Sequence, residues 1–211
     1  MAEHATIIDS KESTETEQWR AHAYEHMMQS AEIQRRSADM CLDSILSAAS
    51  LMVECFRAGN KVLICGNGGS AADAQHMAAE FVSRLSKDFE RPGLPAIALT
   101  TDTSFLTAYA NDCGYEGVFE RQVLALGKPE DVLIGISTSG NSPNVIKSVL
   151  AARERGLRTI GFLGEGGALT GLVDRAVVVP SRDTQHVQEV LLTIEHTVCL
   201  LTEQALFGGL H

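Results

Sequence analysis

The sequence predicts an α/β fold: a three-layer, doubly wound, parallel five-stranded sheet with a long N-terminal helical extension. Three observations predict it. Short apolar runs recur after Lys61, each bounded by small or polar residues. Helical patterns of roughly 10 to 20 residues separate them, and that alternation implies parallel strands buried on both faces. Before Lys61 runs a helical stretch, Glu17 to Arg57, without Pro or Gly.

Residues 1–16 are polar and expected to be disordered. In the next segment, Ala23, Met27, Ala31, Ala38, Cys41, Ile45, Ala48, Met52 and Phe56 recur at helical spacing. Ala58-Gly59-Asn60 ends it with a glycine in C-cap position. A helix this long outside the sheet is hard to satisfy alone, so 17–60 reads as an oligomerisation segment. Residues 61–211 form one domain with no internal boundary. Strands are expected at 61–65, 95–100, 131–136, 158–163 and 175–179, and helices at 70–86, 103–110, 115–126, 142–155 and 185–206.

Composition excludes several classes. The formal net charge is −10 with no basic stripe, whereas nucleic-acid binding draws most of its affinity from cations that neutralise phosphates. No apolar run approaches the ~20 residues a membrane span needs. The N-terminus lacks the basic start and apolar core of a secretory signal. Five scattered cysteines without a CxxC read as buried thiols of a cytoplasmic protein.

The loop Ser137-Thr138-Ser139-Gly140-Asn141-Ser142 follows the apolar run Val132-Leu133-Ile134-Gly135-Ile136 and precedes a helix. Unpaired N–H groups and the peptide dipoles make a helix N-terminus a site for a phosphate. Alone, the loop also suits a Ser/Thr turn with an N-cap. A second turn, Gly66-Asn67-Gly68-Gly69-Ser70, follows the strand pattern Lys61–Cys65. It is neither a dinucleotide fingerprint nor a Walker loop. Two such turns at strand C-terminal ends fit one small phosphorylated metabolite.

On the helix after the first turn, His76 and Glu80 are four apart and share a face. They suit one ligand or metal, or equally an ion pair on a solvated face. Gln188 and His196 lie eight apart on an apolar helix near the C-terminus, where a histidine also serves simply as core. His186 reads as a surface residue, and His22 with His26 as a helix–helix contact.

The segments Cys65–Ser70, Gln75-His76 with Glu80, Arg91-Pro92, Pro95–Leu99, Asn111-Asp112, Gly135–Ser142 and Val187-Gln188-Glu189 together resemble the phosphoheptose isomerases. The likeness covers about Glu17 to Leu206. These are sugar isomerase (SIS) domain enzymes of flavodoxin-like architecture that convert sedoheptulose 7-phosphate to D-glycero-D-manno-heptose 7-phosphate. The resemblance implies that Ser137, Thr138, Ser139 and Ser142 grip the phosphate. It implies that Asn67, Gly68, Gly69 and Ser70 line the sugar, with Asn111, Asp112 and Gln188 nearby. Glu80 would be the general base and His196 the general acid. His76, Glu80, Gln188 and His196 match a zinc set of the family, although glutamine is an unusual zinc ligand. It further implies a cytoplasmic homotetramer with active sites between subunits, feeding heptose synthesis for lipopolysaccharide. One departure is His186, where the family usually has arginine. The rival reading is a non-catalytic SIS protein that binds the replication initiator DnaA. Such proteins lack the residues at the Glu80 and His196 positions.

Overall fold

The computed structural model describes residues 14–87 and 90–208 in full, and residues 2–13 by their backbone alone. Five strands form one parallel sheet in the order β2-β1-β3-β4-β5: β1 Val62–Gly66, β2 Ala96–Ala98, β3 Val132–Ser137, β4 Arg158–Gly164 and β5 Arg175–Val179. Among the described residues, seven α-helices accompany it: α1 Ala2–Met40, α2 Leu42–Arg57, α3 Gly69–Val82, α4 Thr103–Cys113, α5 Val118–Leu126, α6 Pro143–Glu154 and α7 Thr184–Phe207. This is the expected doubly wound α/β architecture.

Alternate residues of each strand feed opposite faces of the sheet. Val62, Ile64, Val132, Ile134, Ile136, Ile160 and Phe162 pack with α2, α3 and α7. Leu63, Cys65, Leu133 and Leu163 pack with α5 and α6. Burial on both faces explains why the strands read as continuous apolar runs. Gly66 pairs with Ile136, so the turns that follow β1 and β3 start side by side. Strand order reverses between these two strands, and a doubly wound sheet opens its ligand crevice there.

The N-terminal stretch departs from expectation. One unbroken helix is predicted; two are found, meeting at Cys41. No Pro or Gly causes the break. The Cys41 thiol donates to Val178 O at 3.2 Å on β5, and the Ser37 hydroxyl donates to Ile33 O at 2.8 Å. The bend lets α2 join the core of the sheet through Ile45, Ala48, Met52 and Phe56. A Schellman pair closes α2: Asn60 N–H donates to Cys55 O and Gly59 N–H to Phe56 O. Helix α1 starts at Ala2, ahead of the expected Glu17. The expectation of disorder over 1–16 covers Met1 and the side chains of residues 2–13, which lie outside the described residues.

Helix α7 is long and apolar enough to cross a membrane by composition. It instead buries Val187, Val190, Leu191, Ile194 and Val198 against the sheet side of the core.

Candidate active site

The turn after β3 gathers hydroxyls. Ser137 is buried at the end of the strand. Its Oγ lies 3.1 Å from Ser142 Oγ and 3.5 Å from Ser139 Oγ. Ser142 is the N-cap of α6 and its side chain makes no capping bond; in the first turn Pro143 has no N–H and Val145 N–H donates to Asn144 Oδ1 at 3.0 Å, so the donor capacity there is reduced. Backbone packing holds this cradle. Gly140 has φ +63°, and a Cβ on Gly167 would stand 2.2 Å from Gly140 Cα. Leu169 N–H donates to Gly140 O at 3.0 Å, and Ala168 N–H to Asn141 Oδ1 at 3.0 Å. Sequence reasoning misses this support, though the adjacent Gly166 and Gly167 signal a tight turn.

The turn after β1 is tied to the first. Asn67 and Asn144 exchange two amide hydrogen bonds of 2.8 Å each. Asn144 is buried, sits just past the cradle and is not singled out by any sequence motif. The Tyr115 hydroxyl donates to Asn67 Oδ1 at 3.1 Å. Gln188 of α7 meets the same turn: its Oε1 accepts from Ser70 Oγ at 3.3 Å, and it passes so close to Gly69 that a Cβ there would be 3.0 Å away. The Gln188 Nε2 is buried without a partner. Asn111 and Asp112 lie exposed on the last turn of α4 and bond to each other at 2.8 Å. Among the described residues, neither bonds to the two turns.

Further along α3, three of the four expected metal-site residues converge. His76 Nε2 is 2.7 Å from His196 Nε2 and 3.6 Å from Glu80 Oε1. One ligand atom from each lies within 4.8 Å of the others. Glu80 Oε2 is buried and has no partner. Two imidazoles and a carboxylate are a zinc-type donor set, so these residues fit that metal. Gln188 sits two helical turns nearer the cradle and bonds Ser70 instead.

Behind the cluster are two acids: Asp73, which the sequence places at helical spacing with His76 and Glu80, and Glu195, which no motif singles out. Glu195 is 1% exposed and neither carboxyl oxygen has a partner. Burial, then the nearby charge of Asp73, pushes its carboxyl up to about 9. Burial likewise raises Asp73 to about 6, with His76 drawing it partly back. The C-terminal end of α3 is held from outside. Arg91 donates to Glu80 O at 2.8 Å and Phe81 O at 2.9 Å, and is paired at 2.6 Å with buried Glu203.

Comparison with known proteins bears on this arrangement. The SIS domain family matches residues 25–164. A phosphoheptose isomerase of Roseiflexus sp. (strain RS-1) is 56% identical over 179 residues, 84% of this chain and 90% of that protein. The structure of phosphoheptose isomerase GmhA from Neisseria gonorrhoeae superposes with a TM-score of 0.83 at 41% identity, covering 88% of this chain and 98% of that one. A phosphoheptose isomerase from Francisella tularensis gives 0.81 at 36% identity, covering 85% and 95%. The chain belongs to the phosphoheptose isomerases, a family built on the SIS domain.

Proposed function

We propose that this chain is an aldose–ketose isomerase converting sedoheptulose 7-phosphate to D-glycero-D-manno-heptose 7-phosphate through an enediol. One observation carries the reading. The hydroxyl cradle after β3 and the carboxylate–imidazole cluster of α3 and α7 are linked through the turn after β1, whose Asn67 bonds Asn144 beside the cradle and whose Ser70 bonds Gln188 on the helix that carries His196. Ser137, Thr138, Ser139 and Ser142 hold the phosphate, with the N-terminus of α6 favouring its charge. Each hydrogen bond to a charged oxygen contributes about 1.5–3 kcal/mol, so a few suffice without Lys or Arg. Asn67, Gly68, Gly69 and Ser70 line the chain of the sugar, Gln188 orients it, and Asn111 and Asp112 border the mouth.

Glu80 turns one oxygen to His76 and leaves the other unpartnered. That second oxygen takes the proton from C1 of the ketose and returns it at C2. His196 moves the proton between the two sugar oxygens, and the remote phosphate fixes the geometry. His76, Glu80 and His196, with Gln188 as the further family donor, would hold zinc; bound there it would supply Lewis-acid polarisation of the carbonyl, with Glu80 and His196 then serving as ligands in place of base and acid.

The reading extends to a cytoplasmic homotetramer supplying heptose for surface glycans such as lipopolysaccharide. Exposed Trp19, Tyr24, Met27 and Met28 along α1 support the assembly. The test is incubation with sedoheptulose 7-phosphate, with and without chelator, followed by product analysis. The aldose phosphate is expected, with less formed under chelation. No conversion in either condition overturns the assignment.

A further inference from the structure

A second cluster of ligating side chains lies away from the crevice, where α1 crosses the head of α7. His186 is 4% exposed, not on the surface as its sequence context implies. Its ring centroid is 4.5 Å from that of His26, with planes 39° apart. Glu189, one turn further along α7, reaches both rings. Its Oε1 is 3.2 Å from His26 Nε2 and its Oε2 is 3.4 Å from His186 Nδ1. The Ser30 hydroxyl donates to Oε2 at 2.5 Å. That bond, ahead of the two imidazoles, holds the Glu189 carboxyl below its ordinary range.

These separations match a metal polyhedron. Zinc–nitrogen and zinc–oxygen bonds of about 2.0–2.1 Å in a tetrahedron place neighbouring ligand atoms about 3.4 Å apart. One ligand atom from each of the three residues lies within 4.8 Å of the others. Without a metal, each imidazole must spend a proton on the same carboxylate. With one, both nitrogens and the carboxylate become ligands. The ion also supplies positive charge beside a cleft whose lining includes Glu25, Glu32 and Asp183 together with His186.

We propose that His26, His186 and Glu189 form a second divalent transition-metal site, of zinc type, that clasps α1 to the start of α7. The site stands apart from His76, Glu80 and His196 and does not depend on the isomerase reading. It is built from residues far apart in sequence, so metal there resists separation of α1 from the domain. The ligand set leaves one coordination position open for water.

The test uses the full-length protein stripped of metal and titrated with Zn2+ alone, with bound zinc counted by elemental analysis and unfolding followed by circular dichroism. His186→Arg places a fixed cation beside Glu189 and removes a ligand; Glu189→Ala removes the carboxylate. Both variants are expected to lose one zinc equivalent per chain, or to bind it more than about tenfold more weakly, since even partners one layer out from a metal are worth that much. Both also lose the zinc-dependent rise in melting temperature that this equivalent provides. His76→Ala is expected to keep that equivalent and that rise. Unchanged zinc stoichiometry and affinity in either His186→Arg or Glu189→Ala overturns the site, whatever the isomerase activity proves to be.

Discussion

At the residue scale, reactive groups are set apart by what each carboxyl can bond. Glu80 keeps a buried oxygen with no partner beside His76 and His196, which leaves a carboxylate lone pair free to take a proton. Glu80→Gln keeps the shape and removes the basicity. Turnover is expected to fall by about 10²–10⁴-fold, the usual worth of a positioned base, with the melting temperature unchanged. Steady-state rates and a thermal melt check both halves. Glu195 makes the opposite case. Folded, its carboxyl titrates near about 9 against an ordinary value of 4.5, so it stays protonated at neutral pH. The unfolded chain ionises it above about 4.5, so unfolding releases a proton and stability falls as pH rises from there to about 9. Glu195→Gln removes this dependence. Its melting temperature should gain several degrees over wild type at pH 9 and little at pH 4, because wild type loses about 1.4 kcal/mol for each pH unit between the unfolded and folded carboxyl values and glutamine has no proton to release. A gain that is equal at both pH values rules the account out. Glu80 and His196 come into view through the resemblance to the phosphoheptose isomerases, since their spacing alone suits an ion pair and a core histidine equally well. The sequence hides Glu195 and His186, whose burial depends on which side of α7 meets α3 and which meets α1.

At the element scale, the strands are the most legible part of the chain. Each is an apolar run with no solvent face, and the observed bounds fall within a residue or two of expectation. Helix ends set by distant side chains are not legible. The sequence predicts α3 through 86, but it stops at Val82, where Arg91 occupies the carbonyls of Glu80 and Phe81. The kink at Cys41 has the same character: a thiol reaching β5 decides it. Arg91 therefore carries both a helix end and a buried ion pair with Glu203. Arg91→Ala is expected to destabilise the fold by about 3–5 kcal/mol, since it leaves the Glu203 carboxylate buried and uncompensated. Chemical denaturation measures the loss. Arg91→Ala combined with Glu203→Gln should recover part of it, and no recovery would show that the ion pair is not the cause.

At the scale of the whole molecule, the reversal of strand order does the gathering. It sets the turns after β1 and β3 side by side, and the reciprocal amide pair of Asn67 and Asn144 locks them. Both turns are visible in the sequence. The lock is not, because neither asparagine announces its partner across 77 positions. The outer half of α1 is the part of the fold left over. From Trp19 to Met28 it exposes large apolar side chains, with Trp19 65%, Tyr24 67% and Met27 70% exposed. Past Cys41 the same helical pattern is buried within the chain. One periodicity thus serves two partners: the inner half meets its own sheet, and the outer half meets other copies in the proposed tetramer. Burying a large apolar side chain is worth about 1.5–3 kcal/mol, and each contact recurs in every subunit. Tyr24→Asp with Met27→Asp places two charges on that face without touching the sheet core. Sedimentation velocity should show the double variant shifted from four chains to smaller species, with its circular dichroism retained. Because the active sites are proposed to lie between subunits, turnover should fall as the assembly dissociates and return as protein concentration is raised. A variant that stays tetrameric would mean that another surface holds the subunits together.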